Sequence, residues 1–290
     1  MKKRFAESEL IINPDGSVFH LHLKPEQLAD KIILVGDPGR VPLIDSHFDS
    51  QEFDIQNREL RSITGMYKGK RISAISTGMG CDNIDIVVNE LDALANIDFN
   101  TREEKDTFRR LDMIRVGTCG GLQPNTPVGT FICSEKSIGF DGLLNFYAGR
   151  DEVCDLAFEK AFTEHMHWLP QLCAPYVIDN NKELIDKIYD DEMVKGVTIS
   201  CGGFFGPQGR ELRVPLADPH QNEKVESFEY KDYRITNFEM ESSALAGLSR
   251  LMGHRGMTVC MVIANRLAKE ANAGYKNSID VLLEKVLDRI

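Results

Sequence analysis

Seven short runs rich in β-branched and other apolar residues recur along the chain, and most of them end at a glycine that precedes a helix-like segment. The runs are KIILVG (31–36), RISAIST (71–77), MIRVGT (113–118), GTFICS (129–134), VKGVTIS (194–200), YRITNFE (233–239) and MTVCMVIA (257–264). The clearest helix-like segments are IDIVVNELDALA (84–95) and SSALAGLSRLMG (242–253). Apolar strands alternating with helices predict an α/β fold with a largely buried sheet. Ligands in such folds gather at the carboxyl ends of the strands, so the residues after each run are the functional candidates.

The charge and hydropathy of the chain exclude several classes of function. The net charge of −11 argues against a general binder of nucleic acid or of anionic membranes, because phosphate repulsion is not compensated. Basic residues that bind an anion must therefore be few and individually placed. The chain of 290 residues contains no run of about 20 uninterrupted apolar residues, so we expect no transmembrane helix.

The cysteines and the first residues indicate the compartment. The seven cysteines are odd in number and include no CxxC pair, which favours a reducing compartment over a disulfide framework or a zinc site. The basic start MKKRFAESELII is interrupted by Glu7 and Glu9, which is unlike the apolar core of a signal peptide. We therefore expect a cytoplasmic protein without a bound metal.

Two strand ends carry groups suited to an anion. In VGDPGR, Gly36 lets backbone N–H groups approach a ligand, and Arg40 can bind an oxyanion with two hydrogen bonds. In RVGTCGG, Arg115 lies inside an otherwise apolar strand and needs a partner, and Thr118 and the glycines that follow can form an anion-binding nest. A solvated surface turn is the alternative for VGDPGR taken alone. The chain has no Walker-type GxxxxGK[ST] sequence.

Two further strand ends offer groups for an organic substrate. GGFFGPQGR (202–210) combines two aromatic rings with a glutamine and an arginine, a set that suits a planar heterocycle with carbonyls beside an N–H, such as uracil. An ordinary loop is the alternative. In NFEMES (237–242), Glu239 and Glu241 either stabilise the start of a helix or hold a substrate hydroxyl.

Taken in order, these motifs resemble the nucleoside phosphorylase-I family, and within it the uridine phosphorylases. The match runs from about Phe19 to the last helix. The resemblance implies one α/β domain over residues 1–290, with a central mixed twisted β-sheet flanked by helices. Residues 1–18 would be an N-terminal extension, and the polar stretch 96–110 an exposed insertion.

The resemblance also assigns site residues. Those that look like phosphate ligands are Gly36, Arg40, Arg58, Arg115 and Thr118, of which Arg58 would serve the neighbouring subunit. Those that look like base ligands are Phe204, Gln208, Arg210 and Arg266. Those that look like ribose ligands are His20, Glu239, Met240 and Glu241, of which His20 would also reach a neighbour's site.

One position separates purine from pyrimidine enzymes in this family. Purine phosphorylases carry an aspartate after the late strand that protonates or hydrogen-bonds the purine N7, and Asn265 stands at the corresponding position. An asparagine cannot act as that acid, so the sequence favours a pyrimidine. The chain departs from the family in FFGPQGR, where relatives place Pro-Gly or Glu-Gly before the glutamine, and in the GCDN run (80–83).

The resemblance implies inorganic phosphate as co-substrate and no organic cofactor. Some bacterial members bind a monovalent cation at the dimer interface through a serine, but Asn83 occupies that position and leaves Glu59 as the remaining carboxylate. The sequence therefore argues against the cation. Since His20 and Arg58 would serve a neighbour's pocket, we expect a homo-oligomer, at least a dimer, with a hexamer as the alternative.

The expected reaction is reversible phosphorolysis of uridine to uracil and ribose 1-phosphate, in pyrimidine nucleoside salvage. A purine nucleoside phosphorylase or a nucleoside hydrolase of the same fold is the alternative enzyme. A non-catalytic nucleoside-binding protein is the alternative from another class. The histidines of HMHW (165–168) are expected to be surface residues, because no third metal ligand lies nearby in the sequence.

Overall fold

The computed structural model describes residues 3–265, 270–271, 274 and 276–290. Its strands are β1 (Lys31–Val35), β2 (Ser50–Asn57), β3 (Leu60–Tyr67), β4 (Lys70–Ser76), β5 (Ile97–Asp98), β6 (Glu103–Glu104), β7 (Asp112–Gly121), β8 (Phe131–Gly139), β9 (Tyr176–Asp179), β10 (Met193–Ser200), β11 (Glu229–Tyr230), β12 (Tyr233–Glu239), β13 (Arg255–Asn265) and β14 (Glu270–Ala271). Its α-helices are α1 (Val41–Asp45), α2 (Cys81–Asn96), α3 (Arg150–Val153), α4 (Leu156–Met166), α5 (Lys182–Ile188), α6 (Gln221–Ser227), α7 (Ser242–Leu251) and α8 (Lys276–Arg289). Short 3-10 turns lie at Pro25–Gln27, Pro38–Arg40, Leu143–Phe146 and Gly206–Gln208.

Within the described residues, twelve strands join one mixed sheet in the order β11-β12-β10-β8-β13-β7-β1-β4-β3-β2, with β9 paired to β8 and β14 to β13. Strands β1, β4, β7 and β13 run parallel, as do β8, β10 and β12. Strand β12 also pairs antiparallel with β7, which places Phe238 opposite Gly120. Strands β12, β10, β8, β13 and β7 therefore close into a ring, and β1, β4, β3 and β2 extend it as an open sheet. The predicted mixed sheet flanked by helices is confirmed.

The seven apolar runs fall in β1, β4, β7, β8, β10, β12 and β13. Every residue of β7 from Asp112 to Gly117 is buried, and four of the five residues of β1 are buried. Strands covered on both faces have no solvent side to carry polar residues, which is why these runs show no alternation of apolar and polar residues.

Helices α2 and α7 pack on one face of the sheet, and α7 is buried at every residue from Ser242 to Ser249. Its small residues allow this close approach. A Cβ at Gly247 would lie 2.8 Å from the Leu144 side chain, and one at Gly256 on β13 would lie 2.5 Å from the Ser249 hydroxyl. On the other face, α8 buries Leu282, Leu283 and neighbouring apolar side chains in a second core cluster.

The predicted insertion at 96–110 is exposed at most of its positions, but it is structured. Strands β5 and β6 form a separate two-stranded sheet within it. Arg102 donates through Nε to the carbonyl of Phe5 (3.0 Å), and its own carbonyl accepts the Phe5 N–H (2.8 Å). The insertion thus fastens the N-terminal segment to the body of the chain.

The segment 211–232 begins as a largely exposed loop and ends in α6 and β11. Val225 of α6 is fully buried and joins the core cluster under β10 and β12. In the part of the chain that the structure describes, no helix has the length and apolar character needed to cross a membrane.

Candidate active site

Several strand ends converge on one pocket with a volume of about 640 Å³. Its wall includes most of the residues predicted for the site: Gly36, Arg40, Arg115, Thr118, Phe204, Gln208, Arg210, Glu239, Met240 and Glu241. It also includes residues that the sequence did not single out as ligands, such as Asp37, Met79, Cys119 and Ile263. The structure therefore brings together four motifs that lie far apart in the chain.

The end of the pocket at β1 is built by a tight turn. Asp37 precedes the 3-10 turn Pro38–Arg40 and accepts the Gly39 N–H through Oδ1 (2.8 Å). A Cβ at Gly36 would lie 3.3 Å from the carbonyl oxygen of Gly78, so this position favours glycine for close approach of two backbones. The turn carries Arg40 into the pocket wall, where it is 8% exposed.

Arg115 lines the pocket, and its strand β7 buries it to 5% exposure. Its Nη2 donates to Oε2 of Glu241, and its Nη1 lies 3.2 Å from Oε2 of Glu239. Within the described chain, its Nε has no hydrogen-bond partner. A buried N–H without a partner is costly, and a bound anion is one group that would satisfy it.

Glu239 has two sets of partners. Its carboxylate accepts the backbone N–H groups of Glu241 (2.8 Å) and Ser242 (2.9 Å), which fixes the start of α7. It also accepts the Ser200 hydroxyl (2.5 Å) from the end of β10. Burial raises the pKa of Glu239 to about 7, because the opposing effect of Arg115 is incomplete and Glu241 adds a further rise. Both sequence interpretations of this residue therefore have support: it stabilises the helix start and it lines the pocket.

Glu241 connects three separate segments. Its Oε1 accepts the Gly80 N–H (2.7 Å), and its Oε2 accepts Arg115. Gly80 adopts φ 100° at the start of α2, a conformation that favours glycine. Next to Glu241, the Met240 carbonyl oxygen lies 3.2 Å from the Cys81 thiol, which acts as the donor. The carboxylate is 97% buried by its surroundings yet lines the pocket, so its remaining lone pairs can accept a substrate hydroxyl.

The loop after β10 forms another part of the pocket wall. The guanidinium of Arg210 lies over the Phe204 ring, with 3.8 Å between its central carbon and the ring centroid. Arg210 also donates to the Phe204 carbonyl (2.6 Å) and to Oε1 of Gln208. Gln208 is buried, whereas Phe204 is half exposed. The loop thus presents an aromatic face and a set of N–H donors side by side.

The structure places His20 and Arg58 outside the wall of the pocket. Arg58 is exposed at the tip of the β2–β3 hairpin with φ 55°. The His20 ring donates or accepts through Nδ1 at 2.7 Å from Glu90 on α2. Asn57 Nδ2 donates to the His20 carbonyl (2.8 Å), so the two predicted residues belong to one connected surface. This placement agrees with residues that reach a neighbour's site, and that role stays a prediction.

The last two predicted positions differ in outcome. Arg266 lies outside the described residues. Asn265 is buried, and its Nδ2 donates to the carbonyl oxygens of Thr126 (2.8 Å) and Gln123 (3.2 Å). Its amide therefore holds the loop after β7, and the pocket wall at this point is formed by Ile263 and Ala264.

The sequence missed Ser200 and the backbone N–H of Gly80, which hold the two glutamates. Ser200 is the last residue of a predicted strand, so its place at a strand end was a usable signal. Asn83, which stands in place of the cation-binding serine, and Glu59 both lie in the pocket wall. The HMHW histidines serve other purposes: His165 bonds the Lys224 carbonyl (2.8 Å), and His167 ends α4 with φ 47°.

Comparison with known proteins identifies the family. A family model described as the phosphorylase superfamily matches residues 30–287. A uridine phosphorylase from Thermococcus kodakarensis is 32% identical, over 99% of this chain and 91% of the relative. A DeoD-type purine nucleoside phosphorylase from Listeria welshimeri is 27% identical, over 92% of this chain and 98% of the relative.

A solved structure supports the same conclusion. The nucleoside phosphorylase of Trypanosoma brucei, described as showing uridine phosphorylase activity, superimposes with a TM-score of 0.88 at 28% identity. The alignment covers 97% of this chain and 98% of that protein. The family resemblance of the motifs is thereby confirmed, and the chain belongs to the phosphorylase superfamily.

Proposed function

We propose that the protein is a uridine phosphorylase, which converts uridine and phosphate reversibly to uracil and ribose 1-phosphate. One observation carries the proposal: a single pocket is lined by Arg40 and Arg115, by Gln208 and Arg210, and by Glu241, which is paired with Arg115. A nucleoside phosphorylase has to bind an anion, a sugar and a base, and these residues suit the three tasks. The names of the relatives from Thermococcus kodakarensis and Trypanosoma brucei support the pyrimidine substrate.

The chemistry assigned to the arginines follows from the charge that develops on the sugar. Cleavage of the N-glycosidic bond gives the ribose oxocarbenium-like character. Phosphate is the nucleophile, so the protein has to position an anion and need not supply a nucleophile itself. Arg40 and Arg115 hold that anion against the sugar, with Arg58 of a neighbouring subunit as the third proposed ligand.

The base end stabilises the leaving group. As the bond breaks, negative charge grows on the uracil carbonyl oxygens, and fixed N–H donors lower the energy of that state. Gln208 accepts Arg210 through Oε1, so its Nε2 hydrogens are the ones offered to a base carbonyl. Phe204 supplies a ring face for stacking.

A purine nucleoside phosphorylase is the second candidate, because the relative from Listeria welshimeri aligns over almost the whole chain. Asn265 weighs against it. Its amide is committed to the carbonyls of Gln123 and Thr126, and an amide cannot protonate a purine N7 at neutral pH.

A substrate panel tests the proposal. Uridine and inosine are each assayed with and without inorganic phosphate, and release of the free base is measured. We expect phosphate-dependent release of uracil and little release of hypoxanthine. Preference for inosine would favour the purine enzyme, and release without phosphate would indicate a hydrolase. Uridine binding without turnover under every condition would indicate a non-catalytic protein.

We also propose the finer properties that accompany this activity. The enzyme acts in pyrimidine nucleoside salvage in the cytoplasm, as one domain with phosphate as co-substrate. It works as a homo-oligomer of at least two subunits, because His20 and Arg58 stand on a surface outside their own pocket. Asn83 in place of the usual serine argues against a monovalent cation.

A further inference from the structure

The anion end of the pocket holds more negative charge than its arginines suggest. Arg115 is paired with both Glu239 and Glu241, and all three side chains are at most 6% exposed. When both glutamates are ionised, this triad carries a net charge of −1. An incoming dianion therefore meets a cation that two carboxylates already neutralise, and water is excluded from screening their repulsion.

Of the two carboxylates, Glu239 is the one for which burial outweighs the neighbouring guanidinium. Glu241 is tied to the backbone N–H of Gly80 and to the guanidinium of Arg115. Glu239 has a longer contact to Arg115, and its other partners are neutral: the Ser200 hydroxyl and the N–H groups at the start of α7. The hydrogen bonds from Ser200 and Ser242 favour the ionised form of Glu239, and burial together with the charge of Glu241 favours the neutral form.

Among the described residues, the titratable groups around Glu239 lie on a few neighbouring elements. Strand β7 contributes Arg115 and Cys119, the segment after β10 contributes Cys201, and the start of α2 contributes Cys81. Burial raises the pKa of each of these three thiols well above its ordinary value, so they stay neutral at physiological pH. Glu241, on the segment between β12 and α7, and Arg115 are therefore the charged neighbours that set the protonation of Glu239.

We propose that Glu239 takes up one proton from solvent when a dianion binds beside Arg115. The carboxyl group of Glu239 is then neutral while the dianion is bound. The inference rests on the anion site of the proposed function. The proton bonds to a carboxylate oxygen of Glu239, and the triad changes from a net charge of −1 to 0. Glu239 is thus a positioning residue: it controls how much of the Arg115 charge reaches the anion.

The direction of the pH dependence follows from linkage. The pKa of Glu239 is about 7 before the anion binds, and the anion raises it further. Affinity is then full below that value, where Glu239 is already neutral. It falls as pH rises toward the pKa of the bound state, with the dissociation constant increasing by up to about tenfold per pH unit.

Sulfate is the probe, because it stays a dianion across the experiment whereas phosphate itself titrates near neutrality. Its dissociation constant is measured by calorimetry from pH 6 to 9 for the full chain. For the wild type we expect a constant value at the acid end and a rise above pH 7. For Glu239→Gln, which mimics the neutral acid, we expect a constant value close to the acid limit of the wild type.

Two further variants make the result specific. Asp37→Asn removes an exposed carboxylate from the same pocket wall and is expected to keep the rise with pH. Ser200→Ala removes one donor to Glu239, which makes its ionised form less stable and moves the rise to higher pH. This variant also provides the test if Glu239→Gln fails to fold.

The outcomes separate this inference from the proposed function. A wild-type affinity that does not change with pH, or an unchanged rise in Glu239→Gln, overturns the role of Glu239 even if uridine is turned over. A pH-linked sulfate site in a protein that does not cleave uridine supports the inference and overturns the proposed function. Absence of sulfate binding at every pH overturns the inference, and the proposed function then stands or falls with the uridine assay alone.

Discussion

Arg115 shows how a residue can be predicted as a ligand for a sound reason while its surroundings stay hidden. A charged side chain inside an apolar strand must have a partner, and RVGT therefore marked the site. The partners themselves, Glu239 and Glu241, lie more than 120 positions further along the chain. No local pattern indicates that one guanidinium serves both, because such pairing depends on how β7 and β12 meet.

This pairing also limits what a substitution at Arg115 can reveal. We expect Arg115→Ala to lose about two orders of magnitude in activity, as for the loss of one oxyanion donor. The same change leaves two buried carboxylates without their cation, which destabilises the fold. Arg210 is the cleaner test of the site, because its hydrogen bonds go to a carbonyl and an amide.

Arg210→Ala is expected to lower kcat/KM for uridine by about a hundredfold, because one donor to the leaving base is lost. The matched control is Arg213→Ala, which removes an exposed arginine from the same loop outside the pocket wall. Steady-state phosphorolysis of uridine measures both variants. Near-normal turnover in Arg210→Ala, or an equal loss in Arg213→Ala, would contradict the assignment.

Among the elements, seven buried strands were predicted, whereas the interior strand β3 and the edge strand β2 were not. The seven apolar runs mark strands that are covered on both faces. Strand β2 reads SQEFDIQN and is exposed at five of its eight positions, so its sequence resembles a polar loop. It is a strand because β3 pairs with it along its length, and pairing at a sheet edge requires little apolar character.

The base-binding loop was predicted by composition, but its conformation was not. GGFFGPQGR indicates aromatic stacking and hydrogen bonding without showing how the chain turns. In the structure, Gly209 adopts φ 63°, and a Cβ there would lie 2.5 Å from the Asn222 side chain. Asn222 belongs to α6, so the restriction on residue 209 comes from the packing of α6, within the 211–232 segment, beside the loop.

Gly209→Ala is expected to displace Arg210 and to lower kcat/KM for uridine by about tenfold, since a left-handed alanine costs about 1–2 kcal/mol. The control is Gly206→Ala in the same loop, where an added Cβ meets no atom of the described chain within 4 Å. Uridine kinetics and thermal unfolding are measured for both. The idea of a fixed loop would be wrong if Gly209→Ala behaved like Gly206→Ala.

At the scale of the whole molecule, the largest open prediction is the assembly. His20 lies before residue 30, where the family match begins. It is nevertheless tied to the hairpin that carries Arg58, because Asn57 of that hairpin donates a hydrogen bond to the His20 carbonyl. Both stand outside their own pocket. Sites shared between subunits are predicted only through the family resemblance. The sequence around an exposed arginine does not show which group of another subunit it contacts.

Mixing two defective variants tests whether sites are shared. Arg58→Ala and Arg115→Ala are each expected to be weak alone. In a mixed dimer, the subunit with Arg58→Ala keeps its own Arg115 and receives an intact Arg58 from its partner. After subunits are exchanged at equal amounts, random pairing restores about a quarter of the sites.

Uridine phosphorolysis before and after mixing measures this recovery. The control is a mixture in which the subunits are kept from exchanging, which should give only the sum of the separate activities. If exchange gives no gain, Arg58 acts in its own pocket or not at all.

The contacts of Glu241 also determine when, during synthesis and folding of the chain, the active site can form. Its two partners precede it by 161 and 126 residues, so the site depends on loop closures that are slow relative to local helix formation. A ribosome-bound chain that has not yet released α7 has neither carboxylate in place beside Arg115. Catalytic competence is therefore among the last properties that the growing polypeptide acquires, after most of its sheet has been synthesised.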